Sequence, residues 1–338
     1  MRWLLKSIFW LLLLGILAAG SMIAFAWYWV HKPLPLPRET VDLRVQSGSG
    51  PGVIADSMIN AGIRIPRESF IWLARVSELD RQIKAGGYQI RQGESLWEVL
   101  NKMARGDVTQ RQVAFIEGWT VQQIVDAIIN HPDIDKTLDP ISMHDQVALA
   151  KRLGLERDHV EGLLFPDTYV FPIGTTDEEI LARAVRAQQD VLTQAWESRA
   201  PDLPLKNPYE ALILASIVEK ETGRHDERAR IAGVFINRLR VGMPLQTDPT
   251  VIYGMGDQYQ GRIRRADLQA DTPWNTYTRP GLPPTPIAAV SRASLNAALN
   301  PEKHDFFYFV ARGDGSSEFA RTLPEHNRNV SKYILGRK

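Results

Sequence analysis

The sequence predicts an α+β protein with a transmembrane helix at its N-terminus, a small α+β module behind it, and a mainly helical domain that ends in a β-hairpin. Three observations predict this. Ser7 to Val30 holds no charged residue over 24 positions. Between Asp42 and Ile128, a strand-like run, a glycine turn and a capped helix recur three times. Beyond Thr176 the apolar residues fall at helical spacing, until the pattern changes to short strand-like runs at Phe306–Ala311 and around Phe319.

Length and composition bound the rest. With 338 residues, 44% of them hydrophobic, the chain can fill two folded units. Its 40 Lys and Arg balance 39 Asp and Glu for a net charge of +1, so no global field directs it to nucleic acid. Cysteine is absent, which rules out a disulfide framework, a thiolate zinc site and a cysteine-linked lipid anchor.

The apolar run is long enough to span. A helix of this length reaches about 36 Å, against a hydrocarbon core of roughly 30 Å. Arg2 and Lys6 precede it, and Trp27, Tyr28 and Trp29 close it like an interfacial belt. An uncleaved anchor over 1–32 is expected, because the run exceeds the roughly 7 to 15 residues of a signal h-region. The small-residue triplet Ala24–Ala26 leaves a cleaved leader as the alternative. The next stretch, HKPLPLPRET, alternates three prolines. An extended, semi-rigid stalk over 33–41 is expected, holding the folded part off the bilayer.

The three recurring units are DLRVQSGSGPGVIADSMINAG, GYQIRQGESLWEVLNKMARG and RQVAFIEGWTVQQIVDAI. Ser95 and Thr120 are placed to cap helices whose apolar stripes are Leu96, Val99, Leu100, Met103 and Val121, Ile124, Val125, Ile128. Each unit is too short to bury its own apolar face, so one α+β module over 42–131 is expected. In the second unit, IRQGESLWEVL resembles a LysM module, the small strand-helix-helix-strand fold that binds glycan chains. A generic strand-helix unit with no ligand fits the same residues, and both readings stay open.

The remaining 132–338 are assigned to one domain. Its middle segment, with VEGLLFPDTYVFP, is dense in prolines and aromatics and reads as loop or short strand. A helix from Thr176 to about Ala200 follows. Asn207 then caps a helix from Pro208 to Thr222, with Pro208 at its first position and Glu210 three residues past the cap. This helix brings Glu219 onto a face shared with Leu212, Ala215 and Ser216, while Glu221 lies about 200° away. The small residues beside Glu219 leave space for something to approach. A carboxyl partly buried there without a cation would stay protonated near neutral pH, the condition of a general acid. Pairing with Lys220, Arg224 or an arginine of the next helix is the structural alternative. HDERARIAGVFINRLRVGM reads as that next helix, and LPEHNRNVSKYILGRK as a closing one. His304 and His326 lack metal-ligand spacing.

At this point the chain resembles a known family. The segments ASIVEKET, FINRLRVGMPLQTDPTVIYGMG and NTYTRPGLPPTPIA, with EGLLFPDTY upstream and the apolar N-terminus, are similar to the YceG-like endolytic murein transglycosylases, the MltG family. The likeness runs over nearly the whole chain in the same order. It implies a lytic-transglycosylase-like catalytic domain and a single-pass enzyme of the bacterial inner (plasma) membrane with its bulk in the periplasm. Such an enzyme is a carbon-oxygen lyase that cuts the MurNAc-GlcNAc β-1,4 bond within nascent glycan strands, leaves 1,6-anhydroMurNAc ends and terminates elongation. It implies no metal or organic cofactor. Its partners would be peptidoglycan strands, the cell membrane and, further, peptidoglycan synthases, with no nucleic acid.

The resemblance gives Glu219 the role of catalytic acid and base. Gln246, Thr247, Asp248, Tyr253, Asn275 and Tyr277, whose hydroxyl, amide and aromatic groups suit sugar recognition, are the candidate substrate-binding residues. Each could equally satisfy loop backbone. Asp248 carries two further readings: a turn former capping a helix that begins at Thr250, or the second carboxylate of a hydrolytic muramidase. A non-catalytic glycan-binding scaffold for cell-wall synthases is the remaining alternative.

Overall fold

The computed structural model describes residues 2–336 and divides them into two compact units. One runs to Gln112 and takes in Val170–Thr175; the other holds Val113–Tyr169 and continues from Thr176.

The first unit opens with α1 (Arg2–His31). From Lys6 to His31 this helix is long and apolar enough to cross a membrane. The prolines after it do not form a free stalk. Leu34 and Leu36 alternate with them, so the extended segment has an apolar side: Leu34 is buried and Leu36 packs on the same core. The Leu34 N–H donates to Glu94 O at 2.8 Å, and Pro33 bridges to Ser95. The end of α1 thus sits directly against the folded unit through Trp29.

Strand β1 (Thr40–Val45) pairs antiparallel with β2 (Gly86–Arg91), placing Val41 opposite Ile90 and Leu43 opposite Tyr88. Two helices, α2 (Pro51–Asn60) and α3 (Arg67–Val76), connect the strands, and α4 (Leu96–Arg105) follows. The expected cap is present in full: Ser95 accepts from the Glu98 N–H and the Glu98 carboxylate accepts from the Ser95 N–H. Ile54, Met58, Phe70, Tyr88, Ile90, Val99, Leu100 and Met103 form the core. The third recurring unit lies elsewhere. Its strand, β3 (Gln110–Ala114), carries the chain out of this unit, and its helix, α5 (Val121–Ile129), belongs to the second unit rather than to a module over 42–131.

In the second unit, α5 is capped by Thr120 with Gln123. The proline-rich middle segment holds α6 (Pro140–His144), α7 (Gln146–Arg152) and β4 (Thr168–Pro172), whose residues from Val170 on belong to the first unit. Next come α8 (Asp177–Glu197), capped by Thr176, then α9 (Pro208–Glu221) and α10 (Arg228–Arg240). After these, α11 (Asp248–Met255) runs into a 3-10 turn, followed by α12 (Arg265–Gln269) and α13 (Arg292–Leu299). The antiparallel hairpin of β5 (Tyr308–Ala311) and β6 (Ser317–Ala320) precedes α14 (Leu323–Tyr333).

Helix α9 is the centre of this unit. Every residue from Ala211 to Val218 is buried, as expected of a helix apolar all round and packed on several sides. It lies against α8, α10, α11 and α13. Asn207 accepts from the Glu210 N–H as expected, but the Glu210 carboxylate returns to the Lys206 N–H instead of closing a box on the cap.

Candidate active site

The last turn of α9 carries Glu219 out of that core. Its side chain is 5% exposed. Oxygen Oε2 accepts twice from one residue, from the Ser291 N–H at 2.9 Å and the Ser291 Oγ–H at 2.5 Å. Ser291 Oγ also accepts from the Ser294 N–H as the N-cap of α13. On the other oxygen, Arg228 Nη2 lies 3.4 Å from Oε1.

Two expectations are corrected here. Glu219 is not free of cations: the first turn of α10 brings Arg228 to it, and that side chain is itself only 7% exposed. The contact is one long N–O approach rather than a two-pronged fork, and Arg228 Nη1 is shared with His225 Nδ1 at 2.8 Å. Nor do the small residues of α9 leave space. The chain itself fills it: Ser216 Oγ accepts from the Ile287 N–H at 3.0 Å and donates to Ile213 O at 2.7 Å.

A glycine wall lies beside Glu219. Gly118 has φ of 77°, and a Cβ built there would stand 4.0 Å from Glu219 Cγ and 3.7 Å from Lys220 Cδ. Lys220 Nζ donates to Gly118 O at 3.0 Å. The Gly118 N–H donates to Ala289 O at 2.8 Å, and the Ala289 N–H returns to Trp119 O at 2.7 Å. Ala289 precedes Ser291 by two residues, so one segment holds both the glycine wall and the carboxylate.

Glu221 faces another group. Thr247 Oγ1 donates to its Oε2 at 2.6 Å. Burial pushes the Glu221 carboxyl up; the Thr247 bond opposes that and the nearby Asp248 charge adds to it. Asp248 is exposed and accepts from Tyr277 OH at 2.6 Å. It opens α11 itself, so the expected cap on a helix starting at Thr250 is not what it makes. Burial, then this bond to Asp248, pushes the Tyr277 hydroxyl up.

The remaining candidates separate. Gln246 is exposed and holds a left-handed φ of 48°, strained backbone for a residue with a side chain. Thr247 is buried and committed to Glu221. Tyr253 donates to Glu161 Oε2 at 3.1 Å and meets Trp274 edge to face. Asn275 is fully buried: its Nδ2 donates to Asp267 O, Leu268 O and Ala270 O, and its Oδ1 accepts from the Tyr277 N–H. This amide is spent on the loop. Residues that the motif reading missed are Ser291 and Glu161; Arg228 is the arginine of the next helix that the sequence offered as a partner for Glu219. Ser291 had a signal, a serine opening the apolar run of α13, but nothing in sequence ties it to a glutamate 72 positions away.

Two grooves of about 570 and 470 Å³ open around Asn207 and Tyr209, at the far end of α9. That is eleven residues, about 16 Å, from Glu219.

Fold and sequence place this chain among known proteins. The model of the YceG-like family matches residues 43–332, and the chain belongs to that family. It is 31% identical over 312 residues to the endolytic murein transglycosylase of Bacillus subtilis, covering 88% of this chain and 86% of that one. The endolytic murein transglycosylase of Streptococcus pneumoniae is 27% identical over 358 residues; the match takes in 96% of this chain and 64% of the longer relative. A YceG-like protein of Listeria monocytogenes has a crystal structure that superimposes with a TM-score of 0.54 at 29% identity, over 86% of this chain and 98% of that one.

Proposed function

We propose that this protein is a membrane-anchored endolytic lytic transglycosylase of peptidoglycan, with Glu219 as its single acid and base. The observation that carries the reading is the asymmetry of the Glu219 carboxyl. Oε2 is held by two donations from Ser291, while Oε1 has only the long Arg228 approach. In this reading Oε1 is the oxygen that delivers the proton.

The chemistry follows from one carboxyl. Oε1–H gives its proton to the glycosidic oxygen as the bond to the MurNAc anomeric carbon breaks, through an oxocarbenium-like state. The GlcNAc end departs as an alcohol. Oε1, now negative, takes the proton of the MurNAc 6-hydroxyl, whose oxygen closes on the anomeric carbon to give a 1,6-anhydro end. No water is consumed. Ser291 and Arg228 face the carboxylate during the interval in which it is charged, the arrangement that lowers the cost of that state without reorganisation.

Asp248 has no place in this sequence of steps. Its bond to Tyr277 and its proximity to Glu221 set it with the second carboxyl, and the exposed Gln246 and Asp248 with the half-buried Tyr277 offer a polar rim suited to sugar hydroxyls. Helix α1 would anchor the chain in the inner membrane with the bulk periplasmic, and the β1-α2-α3-β2 order supports a LysM-like, glycan-holding role for the first unit. The products of uncrosslinked strands test the reaction: anhydro ends are expected, and reducing ends would assign the chain to the hydrolases.

A further inference from the structure

Glu161 stands in the segment EGLLFPDTY, is 1% exposed, and has no part in the steps above. It is nevertheless surrounded by the machinery. Both its oxygens face the Val121 N–H, at 3.1 and 3.3 Å, at the first turn of α5, where the helix dipole favours negative charge. Tyr253 OH donates to Oε2 from α11. The Glu161 backbone N–H is held by Gln146 of α7 at 3.2 Å. Its neighbour Gly162 packs so closely that a Cβ there would lie 2.4 Å from Pro286 Cβ.

We propose that Glu161 is a positioning residue for the cleavage reaction, fixing the Gly118–Val121 loop, Tyr253 and the 286–291 segment to one buried carboxyl and so setting the walls around Glu219. The inference rests on the reading of Glu219 given above. The path is continuous. Glu161 fixes Val121; Gly118 and Trp119 exchange hydrogen bonds with Ala289; Gly118 lies beside Glu219 and accepts from Lys220 Nζ; and Ser291, two residues beyond Ala289, holds Oε2. A buried acid at this junction has a consequence. Burial pushes the Glu161 carboxyl up to about 7, against the pull of the Val121 N–H, Tyr253 OH, the Gly162 backbone and the Lys220 charge. Its other titratable neighbour is Tyr209 of α9. Above neutrality the charged form receives the Val121 and Tyr253 bonds at full strength, and the lock tightens.

The test is a rate profile of the full-length protein in detergent on uncrosslinked glycan strands, for wild type, Glu161→Gln and Tyr253→Phe. Wild-type kcat should rise through an inflection near pH 7. Glu161→Gln keeps the shape and loses the charge, so kcat should fall about tenfold at alkaline pH, with KM within about twofold and no inflection. Tyr253→Phe removes a donor to the charged form and should move the inflection to higher pH. A Glu161→Gln protein with wild-type kcat and inflection overturns the proposal, as does a folded Tyr253→Phe protein whose inflection stays in place. The chemical nature of the wild-type product ends reports on Glu219 alone, so the two claims fail separately.

Discussion

Ser291 donates twice to a single oxygen of Glu219, by its backbone at 2.9 Å and its hydroxyl at 2.5 Å. One residue thereby holds one carboxyl oxygen and leaves the other, Oε1, to carry the reacting proton in the proposed mechanism. The same hydroxyl caps α13 through the Ser294 N–H, so the start of a helix and the orientation of the acid are one structural event.

Ser291→Ala should therefore show two separable losses. Loss of the cap costs about 1 kcal/mol of stability. Loss of the hydroxyl donor lets the carboxyl turn, and kcat should drop by about 10- to 100-fold with KM little changed. Ser291→Thr keeps both the cap and the donor and should recover most of each. Melting curves alongside steady-state kinetics separate the two effects; an alanine variant with unaltered kcat would remove Ser291 from the mechanism.

Glu161 should make the protein's stability fall with rising pH. Its folded value is raised from 4.5 to about 7 by burial, so the folded state holds a proton that the unfolded state has released. The contribution is fully present below about pH 4.5 and is lost as pH climbs through about 7, an effect of roughly 3 kcal/mol across that window. Glu161→Gln has no proton to lose. Its melting temperature relative to wild type should climb between mildly acidic and mildly alkaline buffer, and a constant difference would contradict the assignment.

Asn275 is expected to behave as a loop keystone. Asn275→Ala removes the donor shared by Leu268 O and Ala270 O and leaves Asp267 O with only the Ala270 N–H, at a cost of roughly 1 to 3 kcal/mol. Denaturant unfolding should record that loss, while KM of the folded protein stays near wild type. A raised KM without a stability loss would return Asn275 to the sugar-binding rim.

What could be read in the sequence was mostly local. Ser95, Thr120 and Asn207 cap the helices they announce because a cap is written within four residues. The closing hairpin and the placement of Glu219 at the end of α9 rest on short-range patterns of the same kind. Failures came where distant chain decides. The prolines after α1 read as a stalk, yet Leu34 and Leu36 find a core supplied by residues as far along as Met103. Ala215 and Ser216 read as vacant space, and Ile287 fills it. Arg228 sits one helix on from Glu219 and Ser291 much further, and only tertiary packing brings both to the same carboxyl. Glu161 lay in a quoted motif; its burial, not its sequence position, gives it a role.

The most direct test of the central claim weighs the ends made from uncrosslinked glycan strands by the full-length protein, wild type against Glu219→Gln. The amide can neither deliver the proton nor take it back, so wild type should yield ends lighter by one water than hydrolysis gives, and the variant should be slower by about 10²- to 10⁴-fold. A Glu219→Gln protein that cleaves strands at the wild-type rate would contradict the account.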